Sequence, residues 1–206
     1  MEKTIIDIDS WERTKLFNFY NSFDNPCYNI TFRVPCSRTW DYCKREKKSF
    51  FLYSLYVITK SMNEIENFKY RIDKDNNVVL YDVCNVVSPI ELDGDMFKEI
   101  EFEFDDDLDV FYDNCKKRIA LAKSESAGAG ENNEDSFLVG CVPWLDFESY
   151  TYADYSFKQT TPCLTFGKYK DGSIPLTIKA NHSFIDGKHL KRFVERMTEL
   201  FTAESF

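Results

Sequence analysis

The sequence predicts an α+β fold, a mixed β-sheet with helices on one face, built by residues 1–206 as a single domain. Two patterns predict it. Short β-rich runs bounded by turn residues recur along the chain, as is typical of strands. Longer segments repeat apolar residues at helical spacing and predict helices that cover a sheet. With 43% apolar and 17% aromatic residues, the 206-residue chain has enough apolar surface for one sizeable core.

The first half of the chain is predicted to alternate between helices and strands. The predicted elements are a short amphipathic helix from Ser10 to Tyr20 capped by Asp9 or Ser10, a strand over Cys27–Pro35, a helical region from about Ser37 to Met62 interrupted around Lys47–Ser49, and a hairpin with strands Asn67–Asp73 and Val78–Asp82. The second part of the helical region is apolar enough to be buried.

The second half is predicted to supply most of the sheet and the last two helices. The predicted elements are strands over Val83–Ile90 and Phe97–Phe104, a helix over Leu108–Ala122, a loop over Ser124–Asp135, strands over Val139–Trp144, Cys163–Tyr169 and Ile174–Ala180, and an amphipathic helix from about Gly187 to Thr202. The acidic run Glu99–Asp107 could form a cation site, but it is interpreted as an edge strand with a solvated face that leads into a helix N-terminus.

Composition narrows the possible functions. The net charge of −9 disfavours nucleic acids and anionic membranes as partners. No basic and apolar leader follows Met1, and no run of eighteen apolar residues occurs, so we expect a soluble, cytoplasmic protein. The seven cysteines form no C-x-x-C pair and are expected to be reduced. With only two histidines, no metal site is expected.

The candidate for chemistry is His182, in the segment Asn181-His182-Ser183-Phe184-Ile185-Asp186-Gly187 between the last predicted strand and the last helix. A neutral imidazole can accept a proton from an alcohol and then pass it to a leaving thiolate, which suits acyl transfer from a thioester. The spacing H-x-x-x-D-G alone favours a partly buried histidine followed by a helix N-cap, because short motifs often match by chance.

Four blocks in order resemble the chloramphenicol acetyltransferase family, whose active-site signature is similar to Pro175–His189. The other three blocks are Thr165-Phe166-Gly167-Lys168-Tyr169, Val142-Pro143-Trp144-Leu145-Asp146-Phe147, and an N-terminal block with Ile8–Arg13 and Phe19-Tyr20. The residues between Val86 and Asp135 match poorly. The H-x-x-x-D-G element also occurs in dihydrolipoamide acyltransferases and in condensation domains, but the Trp-x-Arg and Gly-Lys-Tyr blocks favour the antibiotic acetyltransferases.

The resemblance implies a chloramphenicol acetyltransferase-like fold, direct acetyl transfer from acetyl-CoA as co-substrate, and a role in antibiotic resistance. His182 then matches the general base, and Asp186 matches a carboxylate that forms a salt bridge with the residue matching Arg13. Thr165 matches a threonine that helps to hold a water at the tetrahedral intermediate. Tyr20 matches a residue of the acceptor pocket.

The resemblance also implies where CoA binds and how subunits assemble. Lys168, Tyr169 and Trp144 fall where the family has residues that contact CoA or line its tunnel. The family is a homotrimer whose active sites lie between subunits, so His182 and Tyr20 are expected to work across an interface. No metal is implied.

Two positions depart from the family pattern. A serine whose hydroxyl donates to the oxyanion is replaced by Gly140, and loss of one such donor typically lowers the rate by about 10²–10³. A water held by Thr165, the Ser183 hydroxyl or the Gly140 backbone N–H could replace it. Asn181 stands where the family often has a second histidine, and it can still form hydrogen bonds.

Two alternatives to this enzyme remain open. Because Gly140 lacks the hydroxyl, the chain could be a non-catalytic relative that binds a CoA thioester or an apolar ligand. Alternatively, Cys141 could be a nucleophile that His182 activates.

Overall fold

The computed structural model describes residues 2–92, 95–124, 134–153 and 159–203. In chain order the elements are β1 (Lys3–Ile5), α1 (Thr14–Asn21), β2 (Cys27–Pro35), α2 (Ser37–Arg45), α3 (Phe50–Asn63), a 3-10 turn (Glu66–Phe68), β3 (Tyr70–Ile72), β4 (Val78–Tyr81), β5 (Asn85–Glu91), β6 (Phe97–Phe102), α4 (Leu108–Lys123), β7 (Ser136–Cys141), β8 (Cys163–Phe166), β9 (Ser173–Asn181) and α5 (Gly187–Thr202).

Six of these strands form a mixed sheet in the order β2-β9-β8-β7-β5-β6. Strand β7 runs parallel to both β5 and β8, and the other pairs are antiparallel. Helix α3 contacts α2, α4 and α5, α2 also contacts α5, and α3, α4 and α5 contact the sheet. The predicted α+β class with a mixed sheet is therefore confirmed.

Alternation along β8 and β9 separates the two faces of the sheet. Leu164 and Ile178 point into the hydrophobic core beneath the helices, whereas Thr165, Thr177 and Lys179 point to the opposite face. That opposite face is also buried here, and Gln159 lies against it, because its carbonyl accepts the Asn181 side-chain amide and its own amide contacts Cys163. Polar side chains are thus placed where the sheet is shielded from solvent.

The longest predicted helices agree with the structure. The last helix has the predicted bounds, and the predicted break in the first helical region separates α2 from α3, where Ser49 caps α3. Lys47 at the break has φ 54°, a left-handed conformation that interrupts a helix. The edge-strand interpretation is also confirmed, since β6 ends the sheet and Asp107 caps α4.

Three local predictions were wrong. Helix α1 begins at Thr14 without a side-chain cap, because Ser10 instead bonds Asp7 in a preceding turn. The predicted strand over 67–73 is a 3-10 turn followed by the short β3. The predicted strand over 139–144 begins earlier and ends at Cys141, since Pro143 has no N–H for a sheet.

A second, three-stranded sheet was not predicted. It has the order β1-β4-β3 and joins the predicted hairpin to the N-terminal strand. Strand β1 has only three residues, all exposed, which is too short for a period-two pattern to reveal.

Candidate active site

His182 directly follows β9, and two aromatic rings fix its side chain. The His182 backbone N–H donates to the Pro26 carbonyl oxygen at 2.9 Å, which ties it to the start of β2. The imidazole stacks on Tyr20 of α1 with ring centroids 3.9 Å apart and 8° between planes, and Tyr28 packs against it at 4.9 Å. The ring therefore has a defined orientation.

One imidazole nitrogen is enclosed by protein. His182 Nδ1 is buried and has no hydrogen-bond partner among the described residues, while the residue as a whole is half-buried. The Ser183 hydroxyl next to it is buried in the same way. Because Nδ1 faces protein, Nε2 is the nitrogen that a substrate can reach.

Arg13, at the start of α1, holds the turn that carries His182. Its guanidinium donates to the Ser183 carbonyl at 2.8 Å and to the His182 carbonyl at 3.3 Å. It also pairs with Asp186 at 3.0 Å, and the side chains of Arg13 and Asp186 are only 10% and 27% exposed. The ion pair that the resemblance implies is therefore present, and one cation fixes three points of the turn.

Asp186 has a second structural task as the N-cap of α5. Its carboxylate accepts the Lys188 backbone N–H at 3.0 Å, and its own backbone N–H donates to His189 Nδ1 at 3.0 Å. Burial raises the pKa of Asp186, but hydrogen bonds from Arg13 and the Lys188 backbone outweigh burial and lower that pKa overall.

The second histidine, His189, forms a capping box with Asp186 at the start of α5. Burial is the main reason that its pKa is lowered, so its Nδ1 stays an acceptor at neutral pH. Its role was missed at the sequence level, although its position three residues after Asp186 is a capping-box spacing.

A cavity of about 840 Å³ lies elsewhere on the sheet, and Phe51 of α3 reaches it from the helix side. Strands β5 to β8 and the segment 142–153 line it, and its wall includes Gly140, Trp144, Tyr152 and Thr165. Trp144 is 71% exposed at this cavity. The Pro-Trp block and the threonine of the resemblance thus line one cavity.

Inside the cavity wall, two hydroxyls meet beside Gly140. Tyr152 donates a hydrogen bond to Thr165 Oγ1 at 2.7 Å. Gly140 is the register partner of Thr165, and a Cβ added at Gly140 would lie 3.0 Å from Thr165 Oγ1. Tyr152 was not singled out from the sequence, because it lies in a loop and no motif marks it.

The three expected CoA residues do not share one surface. Lys168 is exposed, and its backbone N–H donates to Leu145, next to Trp144. Tyr169 points the other way and stacks on Trp40 of α2, with centroids 4.2 Å apart and 5° between planes. Successive side chains of an extended chain point to opposite sides, so Tyr169 is separated from the cavity that Trp144 lines.

The His182 turn and the cavity are far apart within one chain. Thr165 pairs with Thr177 of β9, and His182 lies five residues beyond Thr177. At about 3.3 Å per residue, the strand separates Thr165 from His182 by roughly 16 Å. The expectation that His182 and Tyr20 lie on different subunits was wrong, because the two rings stack within the same chain.

The structure gives no support to a thiol nucleophile. Cys141 lines the cavity, and burial raises the pKa of its thiol to about 12, which keeps it protonated at neutral pH. All seven cysteines are free. Over residues 2–92, 95–124, 134–153 and 159–203, no group of three or more His, Cys, Asp or Glu side chains could hold a metal ion.

Comparison with known proteins places this arrangement in a family. A sequence model described as chloramphenicol acetyltransferase matches residues 1–198. A chloramphenicol acetyltransferase of Campylobacter coli is 30% identical over 210 residues, covering 97% of this chain and 99% of the relative. The chain belongs to the chloramphenicol acetyltransferase family. It is therefore a CoA-dependent acyltransferase of that type.

Solved structures agree with this assignment. A chloramphenicol acetyltransferase superposes with a TM-score of 0.88 at 32% identity, covering 98% of this chain and all of the other. A dihydrolipoamide acetyltransferase from Azotobacter vinelandii covers 92% of this chain and 86% of its own, with a TM-score of 0.66. At 14% identity the latter shows a shared fold only. Within the described ranges, no helix is both long and apolar enough to cross a membrane.

Proposed function

We propose that this protein transfers an acetyl group from acetyl-CoA to a hydroxyl of a small hydrophobic acceptor, with chloramphenicol as the first candidate and His182 as general base. The observation that carries the proposal is the held imidazole of His182. Tyr20 stacks on the ring, Nδ1 faces protein, and Arg13 fixes the backbone that carries it.

The proposed chemistry needs one proton carrier. His182 Nε2 removes the proton of the acceptor hydroxyl as its oxygen attacks the thioester carbonyl. The tetrahedral intermediate then collapses, the C–S bond breaks, and the imidazolium returns the proton to the CoA sulfur. The products are the acetyl ester and free CoA, and the base is regenerated without an acyl-enzyme.

The proposed site is completed by a second copy of the chain. Because about 16 Å of strand separates His182 from the cavity, the His182 turn of one subunit would face the cavity of its neighbour in a homotrimer. Exposed apolar side chains occur at both places: Phe19 beside Tyr20 is 58% exposed, and Phe97 at the cavity is 58% exposed. Tyr20 would then contribute to the acceptor pocket from the same subunit as His182.

Trp144 and Lys168 are proposed to contact CoA, since both are exposed near the cavity and a lysine suits the CoA phosphates. Tyr169 is proposed to act there only through its packing, because its ring stacks on Trp40.

The test is release of CoA thiol, compared for wild type and His182→Ala. Removal of a general base is expected to lower kcat by about 10²–10⁴, while thermal melting shows whether the variant is folded. Equal rates for the two proteins with every hydroxyl acceptor tried would rule out catalysis by His182.

Mixed oligomers test the shared site. Ala153→Trp would fill the cavity from an exposed lining position, and His182→Ala removes the base. When the two inactive variants are co-expressed, an inter-subunit site regains one intact His182 and one intact cavity, so activity should return. If each site lay within one chain, the mixture would stay inactive. A monomeric mass by light scattering would likewise contradict the shared site.

A second candidate function is a non-catalytic CoA-thioester binder, favoured by the absence of a hydroxyl at Gly140. Binding of CoA by calorimetry without turnover would support it over the enzyme.

A further inference from the structure

The hydrogen bond from Tyr152 to Thr165 lies in the cavity wall, at a place that the resemblance does not explain. The two oxygens are 2.7 Å apart, and both residues line the cavity. Tyr152 reaches Thr165 from the segment 142–153, whereas Thr165 stands on β8. Strand β8 therefore receives this hydroxyl from the segment that follows β7.

Gly140 keeps the space beside these hydroxyls open. A Cβ at Gly140 would approach Thr165 Oγ1 to 3.0 Å, which is a tight contact. The backbone of Gly140 is not in the left-handed region, so its conformation admits any residue. The missing side chain therefore leaves one side of the Thr165 hydroxyl free toward the cavity.

The direction of this hydrogen bond decides whether the Thr165 hydroxyl can donate into the cavity. A threonine hydroxyl has one hydrogen and two lone pairs. Because Tyr152 donates, it occupies a lone pair of Thr165 and leaves the Thr165 hydrogen available as a donor. Burial raises the pKa of Tyr152 far above its ordinary value, so Tyr152 keeps its proton at neutral pH.

Acyl transfer requires a donor where charge develops. As the acceptor oxygen adds to a thioester, the carbonyl oxygen gains negative charge, and a preorganised O–H stabilises it more than a mobile one. We propose that Tyr152 is a positioning residue that orients the Thr165 hydroxyl into the space beside Gly140, where Thr165 donates toward the thioester carbonyl oxygen. This inference rests on the proposed acetyl transfer.

The test compares kcat and KM of Tyr152→Phe, Thr165→Val and the double variant. Each single variant is expected to have a lower kcat, by about tenfold or more for Tyr152→Phe and on the order of 10² for Thr165→Val. The KM for acetyl-CoA and the KM for the acceptor should change little. Because Tyr152 acts through Thr165, the double variant should be no slower than Thr165→Val alone.

Tyr56→Phe is the matched control. It removes a tyrosine hydroxyl bond of 2.6 Å, from Tyr56 to the Asp106 carbonyl, away from the cavity lining, and should keep the wild-type kcat. Thermal melting of each variant separates a loss of folding from a loss of rate. A wild-type kcat in Tyr152→Phe would overturn the proposal, as would losses that multiply in the double variant.

Serine at Gly140 gives a rescue experiment. In the Tyr152→Phe background, Gly140→Ser places a new hydroxyl next to Thr165 and should restore most of kcat, whereas Gly140→Ala should not. If serine does no better than alanine, the receiving oxygen does not lie beside Gly140, and that placement is overturned.

These outcomes are distinct from failure of the proposed function. If wild type is active and Tyr152→Phe has the same kcat, only the role of Tyr152 is overturned. Wild type as inactive as His182→Ala, with every acceptor tried, overturns acetyl transfer and this inference together.

Discussion

Replacing Asp186 by asparagine tests how the His182 turn is held. The change keeps the size of the side chain and its capacity to cap α5, since asparagine caps helices as well as aspartate does. It removes only the charge that faces Arg13 at 3.0 Å. Stability and activity should fall together, because the same guanidinium also holds the His182 carbonyl.

The expected size follows from burial. Breaking a buried pair costs about 3–5 kcal/mol, and an exposed pair contributes about 0–1 kcal/mol. Arg13 is 10% exposed and Asp186 27% exposed, and Arg13 keeps two carbonyl acceptors at 2.8 and 3.3 Å. We therefore expect a loss of about 2 kcal/mol in the free energy of unfolding, or about 4–8 °C in Tm for a chain of this size.

Thermal melting at fixed protein concentration measures the loss, and two further variants calibrate it. Asp186→Ala also removes the cap and should cost about 1 kcal/mol more. Glu64→Gln removes the charge opposite Arg196, where both side chains are 36% exposed, and should cost less than about 1 kcal/mol. An unchanged Tm for Asp186→Asn, or the same Tm for the Asn and Ala variants, would refute the reasoning.

Three further outcomes are expected. Gly167→Ala should lower the free energy of unfolding by about 1–3 kcal/mol, because an added Cβ would lie 2.5 Å from a backbone oxygen of the neighbouring loop. An added Cβ at Gly187 meets nothing within 4 Å, so Gly187→Ala should have a Tm close to that of wild type. Tyr20→Ala should lower kcat by removing the ring stacked on His182, whereas Tyr20→Phe should keep most of the rate. An equal kcat for Tyr20→Ala and wild type would show that the stacked ring does not contribute to the rate. Burial lowers the pKa of His189 below its ordinary 6.5, so the stability that depends on neutral His189 is present above pH 6.5 and is lost as the pH falls below that value. The Tm of wild type should therefore fall more steeply below pH 6.5 than the Tm of His189→Gln, and the same pH dependence of Tm in both proteins would show that another group is responsible.

The sequence was most informative where a structural cause is local. The bounds of α5 agree with its prediction, because Leu190, Phe193 and Met197 repeat at helical spacing behind an aspartate N-cap. The acidic edge strand and the break between α2 and α3 were predictable for the same reason. The blocks around His182 and Thr165 also identified the family before any contact was known.

Tertiary structure alone decided how these blocks meet. No local pattern shows that Tyr20 stacks on His182 in the same chain, that Arg13 also holds the His182 and Ser183 carbonyls, or that β1 joins a separate sheet. The donor to Thr165 is Tyr152, a loop residue without periodicity or motif. Each of these facts depends on contacts between residues distant in sequence, and such contacts are set by packing of the whole chain. The sequence by itself thus determined the family, the candidate residue His182 and the N-cap of α5, whereas the fold decided that His182 and the cavity are about 16 Å apart.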